Sequence, residues 1–457
     1  MVPTRGPSAH LVRLLDRLAV LERAVVVVVD DPSERAADAV RAHAASLRGP
    51  ARFTVVGAAA RAGWREDLTR ASGRADAVSA ALVASPESPW RIGALRNQLL
   101  LQAAGRVVLS VDDDVLPDFV ASPRADEGWR LSAQVDPTEW WPVARRADAW
   151  RDATSGDPVA LHEGVIGRRA SSLLDARSER LGSDPALEAE VAGDARVVVS
   201  TFGLAGDAGA SRASIWLGAS PDARARALER FPDVYAARAM LRVAPRATIT
   251  SSPWFMAPCF AMDARGILPP FLPEQRNTDG LWGMTLRRIT RSGLIAHLPL
   301  AIRHDPSDDR RFEIGDLARD AVAFRVTDLL ALWIAVDPPR GATPQERLRA
   351  FGAALGALSV ASPAVRVKRV EEIARIWLRA VLSRVVAARR EGGPQPWQDA
   401  LADAESAVQR ALVAPPWPCG SEGGRSPDDT LAALLGRYAL CLDAWPELWT
   451  AAQTLGG

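Results

Sequence analysis

The sequence predicts a doubly wound α/β protein with a Rossmann-like, mostly parallel sheet, followed by an all-α C-terminal region. Strand-like and helix-like runs alternate through the first hundred residues and are joined by short connections, as in doubly wound folds. After about residue 315, long amphipathic stretches broken by Pro and Gly replace this alternation, which indicates a helical bundle. We therefore divide the 457 residues into two predicted domains, 1–315 and 316–457.

The first strand is predicted from residues 24–29, which read AVVVVV. A β-branched run without alternation is typical of a strand that is covered on both faces. It ends in Asp30 and Asp31. Asp31 fits the N-cap of a following helix, with Pro32 at the first helical position and Glu34 at the third.

The next elements repeat this pattern. Residues 52–56 and 77–83 predict strands, residues 92–104 carry apolar side chains at helical spacing, and residues 106–111 predict a strand that ends in Asp112-Asp113-Asp114. Ligands of such folds bind outside the carboxyl ends of the strands. Two acidic clusters at one edge repel each other, so this arrangement favours a cation or the hydrogen-bond donors of a ligand between them.

The remaining chain falls into three parts. Residues 117–250 predict an irregular insertion that contains one strand at 195–200, and the glycine-rich stretch 201–209 fits either a tight loop against a ligand or a plain turn. A strand over 248–255 and a helix over about 280–291 follow. The expected C-terminal helices are 317–335, 344–358, 365–390, 397–413 and 428–455.

Composition excludes several classes of function. The formal net charge is +1, and Lys368 is the single lysine among 56 basic residues, so the sequence predicts no nucleic-acid partner and contains no phosphate loop ending in Gly-Lys-Ser/Thr. Three scattered cysteines indicate neither a disulfide framework nor a CxxC metal pair. The longest pure aliphatic run, residues 24–29, is far shorter than the roughly 20 residues of a membrane span. We expect a cytoplasmic protein.

The residues after the fourth predicted strand suit a metal ion. In an extended chain Asp112 and Asp114 point the same way while Asp113 turns aside. Paired carboxylates suit Mg²⁺ or Mn²⁺, which take few protein ligands and fill their other positions with water and substrate phosphate. The alternative is an acidic turn that caps a strand.

The preceding helix carries Arg96 and Asn97 near its start, where Arg96 could bind phosphate or simply face solvent. Together, the strand ending in two acids, the Arg-Asn helix and the Asp-x-Asp strand end resemble the nucleotide-sugar half of type A glycosyltransferases, and most of all the family 2-like enzymes. The resemblance covers residues 24–315. It implies that Asp112, Asp113 and Asp114 bind the divalent metal and the nucleotide's ribose and diphosphate.

The resemblance extends to residues 271–283, FLPEQRNTDGLWG, which look like the acceptor-side motif of that family. It implies that Asp279 is the general base of an inverting enzyme. Thr278 stands where the family usually has an acid, and Asp279 also fits a helix N-cap. Type A enzymes often complete the metal shell with a late histidine, for which His304 is preferred over His297.

The implied function is metal-dependent transfer of a sugar from a nucleotide-diphosphate sugar to an acceptor hydroxyl, on a glycan, natural product or peptide. Asp30 or Asp31 would accept hydrogen bonds from the base, and Arg96 and Asn97 would lie against the diphosphate. Two alternatives stay open: a nucleotidyltransferase on a similar sheet, and a non-catalytic scaffold whose helical half binds a partner. The sequence is compatible with a homo-oligomer and selects neither the sugar nor the acceptor.

Overall fold

The computed structural model describes residues 1–85, 88, 90–182, 184–255, 257–308, 310–420 and 424–456. Its strands, in chain order, are β1 (Val2–Thr4), β2 (Ala24–Val29), β3 (Arg52–Val56), β4 (Val107–Val111), β5 (Val115–Ala121), β6 (Trp129–Ser132), β7 (Glu139–Val143), β8 (Thr154–Ser155), β9 (Glu179–Leu181), β10 (Arg196–Asp207), β11 (Ala239–Val243), β12 (Ala247–Thr250), β13 (Cys259–Asp263) and β14 (Gly293–His304).

The helices of the first 300 residues are α1 (Ala9–Ala19), α2 (Glu34–Ser46), α3 (Ala58–Ser72), α4 (Ala75–Leu82), α5 (Ile92–Gln102), α6 (Arg146–Ala149), α7 (Pro158–Glu163), α8 (Pro185–Ala192), α9 (Ile215–Gly218), α10 (Pro221–Leu228), α11 (Asp233–Ala236) and α12 (Thr278–Ile289). The C-terminal helices are α13 (Asp316–Ala321), α14 (Val326–Val336), α15 (Pro344–Ser359), α16 (Pro363–Glu391), α17 (Gln395–Val413) and α18 (Pro427–Leu455).

The N-terminal strands form a parallel sheet in the order β1-β2-β3. Two further hydrogen bonds place β1 beside β4, because the Met1 amino group donates to the Leu109 carbonyl at 2.6 Å and the Val111 amide donates to the Met1 carbonyl at 2.9 Å. The strand order is therefore β3-β2-β1-β4. These are the first four positions of the 3-2-1-4 order, in which ligands bind where the winding reverses, between β1 and β4.

The larger sheet continues from β4 in the order β4-β13-β10-β14-β12-β6-β9, with β5, β7, β8 and β11 on side branches. β10 and β14 pair in parallel, whereas β13 runs antiparallel to both β4 and β10. Within the described residues, parallel and antiparallel pairs are thus mixed in this sheet. The prediction of a mixed α/β chain with C-terminal helices is confirmed.

Several predicted elements are wrong. Residues 117–250, predicted to contain one strand, hold strands β6 to β11, and residues 317–335, predicted as one helix, form α13 and α14. Of residues 77–83, predicted as a strand, residues 77–82 belong to helix α4, whose side chains are buried on most sides against α3, α5 and α18. A short apolar run has no period that separates a strand from a buried helix. Residues 201–207, predicted within a tight loop, complete strand β10, and Gly203 and Gly206 are needed there because a Cβ atom would strike the backbone of the neighbouring strands.

The C-terminal helices pack directly on the α/β part. α18 lies against α3, α4 and α15, and α14 lies against α12. A single apolar core joins side chains of these helices to those of α4 and α12, so it crosses the predicted boundary at residue 315. Within the described part of the chain, no helix combines the length and the apolar character that crossing a bilayer requires.

Candidate functional site

The carboxyl ends of β1, β2 and β4 meet at one edge of the sheet and bring the two acidic clusters of the sequence together. Thr4 ends β1, Asp30 follows β2, and Asp112-Asp113-Asp114 follow β4. The Thr4 hydroxyl lies 2.5 Å from Oδ2 of Asp113, so Asp113 faces β1 as the alternation of an extended chain predicts. The three aspartates remain partly exposed at the point where a ligand can enter.

Arg96 lies behind this edge and holds Asp112. Its Nη2 atom is 3.0 Å from both carboxylate oxygens of Asp112, and its side chain is only 8% exposed. Burial raises the pKa of Asp112 to about 6, against the opposing charge of Arg96. The charges of Asp112, Asp279 and Asp114 together keep the pKa of Arg96 high despite its burial. One guanidinium therefore interacts with three of the predicted site carboxylates.

Asp114 pairs with His304, at the end of β14. Nε2 of His304 lies 3.4 Å from Oδ2 of Asp114, and Nδ1 of His304 lies 2.8 Å from the carbonyl oxygen of Asp207. Burial opposes a charge on this ring, but Asp114 and Asp207 outweigh it and raise the pKa of His304 to about 9. Of the two candidate histidines, His304 is the one beside Asp114.

His297 lies near the other end of β14, buried near Asp136 and Arg242, and burial lowers its pKa to about 4. It takes no part in the acidic edge.

These residues offer a divalent cation two ligands rather than three. Both oxygens of Asp112 face Arg96, and within the described ranges no group of three or more His, Cys, Asp or Glu side chains is spaced to hold a metal ion. The predicted trio of Asp112, Asp114 and His304 is therefore not a closed cluster. Asp114 and His304 remain, and their separation is close to the about 3 Å between neighbouring ligands of an octahedral Mg²⁺ or Mn²⁺ ion.

Asp30 and Asp31 have different surroundings. Asp30 forms an ion pair with Arg61 of α3, with 3.0 Å between Oδ1 and Nη1. Oδ1 of Asp31 accepts hydrogen bonds from the amide and the hydroxyl of Ser33, and these bonds lower its pKa. The N-cap of α2 is Ser33, so the predicted N-cap at Asp31 is wrong. Asp31 instead stabilises the turn before the helix.

Asn97, predicted to contact the donor, serves another purpose. Its side chain is fully buried, and its amide group donates to the carbonyls of Ala81 and Phe271 and accepts from the amide of Phe271. These bonds use both N–H donors and one acceptor position of the amide, and complete burial separates the side chain from any ligand at the edge. The prediction for Asn97 is therefore corrected: it positions the turn that leads to Asp279.

That turn, residues 268–273, is held at successive carbonyl groups. Leu268 accepts from the indole of Trp445, Pro269 from the indole of Trp282 and Pro270 from the hydroxyl of Tyr438, at distances of 2.7, 2.7 and 3.2 Å. Pro273 accepts from the amide of Ala94 in α5. The turn is thereby fixed to α5, α12 and α18 at once.

Asp279 lies in the first turn of α12, directly after a strained loop. Gln275 has φ of 89° and Asn277 has φ of 62°, which are uncommon values for residues other than glycine. Such strain is typical of functional sites. The charge of Asp279 acts on Arg96, which lies behind the acidic edge.

Sequence reasoning missed the arginines around Asp207. The Asp207 side chain is fully buried at the end of β10, with arginine nitrogens at 3.3 Å (Arg238), 3.7 Å (Arg310) and 3.9 Å (Arg146). Asp207 stood in the stretch predicted as a loop. The nearest signal was the excess of arginine over lysine and the Arg310-Arg311 pair shortly after His304.

Two surface depressions lie elsewhere, of about 460 and 500 Å³, against α3, α4 and α18. Neither is lined by the residues of the acidic edge. The described side chains that line them, among them Ser79 and Arg437, form no charge cluster comparable with that at β4, so we place the candidate site at the edge rather than in these depressions.

Comparison with known proteins gives no relative: the chain matches no family model, no curated protein and no solved structure.

Proposed function

We propose that the protein is a metal-dependent glycosyltransferase of the type A, family 2-like kind, which moves a sugar from a nucleotide-diphosphate sugar to an acceptor hydroxyl with inversion. One observation carries this proposal. Asp112-Asp113-Asp114 follow β4 where the sheet reverses its winding beside β1, His304 lies beside Asp114, and the charge of Asp279 acts on Arg96.

The donor would lie across the ends of β1, β2 and β4. Asp30, beside Arg61, is partly exposed and is the better of the two aspartates to accept hydrogen bonds from the base, because Asp31 is used by Ser33. Asp113, held by Thr4, would face the ribose. Arg96 keeps Asp112 in place and adds positive charge behind the diphosphate.

Asp114 and His304 would hold Mg²⁺ or Mn²⁺ together with water and diphosphate oxygens. The bound metal ion would supply Lewis-acid stabilisation of the charge that builds on the leaving diphosphate. To act as a ligand, His304 must give up its Nε2 proton. Its Nδ1, which faces the Asp207 carbonyl, then keeps the remaining proton and fixes the orientation of the ring.

Asp279 would accept the proton of the acceptor hydroxyl at a carboxylate oxygen as that hydroxyl attacks the anomeric carbon. Its place at the start of α12, after a turn fixed at its carbonyls, suits a base that must be held accurately.

The test is a thermal-shift titration of the full chain with UDP, GDP, ADP and their sugars, with and without Mn²⁺. A ligand that binds only the native state adds about 2.7 kcal/mol of stability at a hundredfold excess over its dissociation constant. We expect a metal-dependent shift with one nucleotide that is lost in Asp114→Asn and kept in Asp403→Asn, a control at an exposed position on α17. No shift with any nucleotide would refute the proposal.

One observation favours a second candidate, a non-catalytic protein built on the same fold. Asp112 already has a partner in Arg96, and no three-residue metal cluster exists among the described residues. The same titration separates the two candidates, because this one predicts no metal-dependent nucleotide binding.

A further inference from the structure

A group of arginines adjoins the acidic edge on the side of Asp279. Arg212 follows β10, Arg276 precedes α12, Arg310 follows β14 and Arg325 precedes α14. We call Arg212, Arg276 and Arg325 the arginine cluster. None of these three side chains has a role in the site described above.

Hydrogen bonds between neighbouring residues hold the cluster together. Arg325 donates from Nη2 to the hydroxyl of Ser211 at 3.0 Å, which ties the start of α14 to the segment after β10. The hydroxyl of Thr327 donates to the carbonyl of Arg276 at 3.0 Å, which ties α14 to the loop before α12. These two hydrogen bonds tie the segments that carry Arg212, Arg276 and Arg325 to the start of α14.

Positive charge exceeds negative charge there. Asp328 faces Nη1 of Arg212 at 3.4 Å and accepts from the amide of Arg325. Asp320 also faces the cluster, but it accepts from the amide of Ala213 and forms an ion pair with Arg319. Among the described residues, these two carboxylates do not balance the three arginines, and the nearby Arg310 faces Asp207 at 3.7 Å.

The electrostatics reflect this excess. Burial and the charges of Arg212 and Arg276 lower the pKa of Arg325 to about 10, and burial with the charges of Arg310 and Arg212 lowers that of Arg276. Like charges held close together without an anion destabilise the native state, and a bound anion would remove that penalty.

Arg276 also presents its guanidinium as a platform. The group lies 4.1 Å from the ring centroid of Trp90, and stacking of this kind orients a guanidinium while its in-plane nitrogens can still donate. Nε of Arg310, on the side of Asp114, is buried and has no hydrogen-bond partner among the described residues. Donors for an anion are thus present on both sides of the loop.

Charge interactions link the cluster to the acidic edge. Arg310 acts on Asp114 and on Arg276, and Arg276 in turn acts on Arg212 and Arg325. Arg276 is three residues before Asp279 in the same loop. The cluster therefore adjoins the loop that carries the proposed base.

We propose that the arginine cluster binds an anionic group, a phosphate or a carboxylate, of the acceptor whose hydroxyl is presented to Asp279. The identity of the anion as part of an acceptor rests on the proposed glycosyl transfer. The presence of an anion site does not depend on that proposal. Such a site narrows the acceptor to molecules that carry a negative charge near the hydroxyl that is glycosylated.

The experiment is calorimetric titration of the full chain with inorganic phosphate and with acetate, each with and without UDP, GDP or ADP. The variants are Arg212→Gln and Arg276→Gln, and the control is Arg230→Gln, at an exposed arginine outside the cluster. We expect saturable binding of phosphate, acetate or both while nucleotide is bound. Each cluster variant should weaken it about tenfold or more, as loss of a charged hydrogen bond does, and the control should not.

Three results would overturn the inference: no saturable binding of either anion, equal binding in the variants and in the wild type, or displacement of the anion by the nucleoside diphosphate, which would make the cluster part of the donor site. Should a Gln variant fail to fold, Arg276→Lys keeps the charge but loses the planar fork, and weaker binding there supports the same conclusion.

Failure of the proposed function gives a different pattern. In that case no nucleotide binds to the wild type, whereas the anion still binds and still depends on Arg212 and Arg276. Nucleotide binding without anion binding refutes the arginine cluster alone.

Discussion

The acidic edge of the sheet and the turn over residues 268–273 both depend on buried polar atoms, but these atoms have different partners. At the turn, the indole and hydroxyl groups of Trp282, Trp445 and Tyr438 each have a carbonyl partner. At the edge, Nε of Arg96 is buried without a hydrogen-bond partner among the described residues. The same holds for Oδ2 of Asp207 at the end of β10, although three arginines surround that carboxylate. Buried polar groups that the protein leaves unpaired call for an explanation, and a water molecule or a ligand supplies one.

The turn has the hydrogen bonding of a completed core and holds the loop and helix that carry Asp279. The edge contains buried polar atoms without a hydrogen-bond partner among the described residues, as the proposed ligand site would. Changes at the edge should therefore affect binding and turnover, and changes at the turn should affect stability.

The largest effect is expected for Asp279→Asn. Loss of a general base costs about 10²- to 10⁴-fold in turnover, while donor affinity should stay within a few-fold because the proposed role of Asp279 is toward the acceptor. Single-turnover kinetics with the donor found by thermal shift would measure this, with Asp403→Asn as control. Near-wild-type turnover in Asp279→Asn would exclude that role.

The pH dependence of stability distinguishes two buried histidines, His304 and His162, which both contact β10. His304 has Asp114 beside it, whereas His162 has the Ser200 hydroxyl at 2.7 Å and burial lowers its pKa to about 3. In the unfolded chain the His162 imidazole becomes protonated near pH 6.5, whereas in the native state it stays neutral down to about pH 3. The free energy of unfolding therefore falls by about 1.4 kcal/mol per pH unit as the pH drops from 6.5 toward 3.

Urea unfolding at pH 7, 6 and 5 measures that slope, and His162→Gln should flatten it by the contribution of one proton. An identical slope in the variant would show that His162 is not the group responsible.

Trp445→Phe tests the turn. The substitution leaves the Leu268 carbonyl without its donor and removes some buried volume, for which we expect about 1–3 kcal/mol of lost stability. Nucleotide affinity, measured at a temperature where the variant is folded, should be unchanged. A variant that keeps its stability but loses nucleotide binding would contradict the division of roles between turn and edge.

The smallest effect is expected at the end of β2. Asp30→Ala should weaken binding of the matching nucleoside diphosphate about tenfold, the value of one hydrogen bond to a charged group, whereas Asp31→Ala should leave it within twofold because Ser33 already uses that carboxylate. Isothermal titration of both variants decides between them. Equal losses would show that both aspartates contact the nucleotide.

Local signals predicted much of the fold. The valine run of β2 and the helices α15 to α18 lie close to their predicted bounds because their burial follows from period and composition alone. Residues 77–83 were assigned wrongly as a strand. An alanine-rich segment enclosed by three helices has no polar face, so its sequence shows no helical period.

The sequence predicted which types of residue belong to the candidate site, but not which of their side chains contact one another. Asp112, Asp114 and His304 come from the ends of two strands whose adjacency depends on the whole sheet. That Asp112 would face Arg96 and that Asn97 would face Phe271 depends on how α5 rotates against the turn. The arginine cluster joins residues more than a hundred positions apart, as with Arg325 and Ser211, and no local pattern contains that information.

The turn over residues 268–273 also has a consequence for biosynthesis. The carbonyls of Leu268 and Pro270 accept hydrogen bonds from Trp445 and Tyr438, which follow 177 and 168 residues later in the chain. At the roughly 5–20 residues per second of translation, a ribosome completes the helix that binds them about 10 to 35 seconds after it has made the turn. The turn that precedes Asp279 therefore leaves the ribosome before the helix that supplies two of its hydrogen-bond donors has been made.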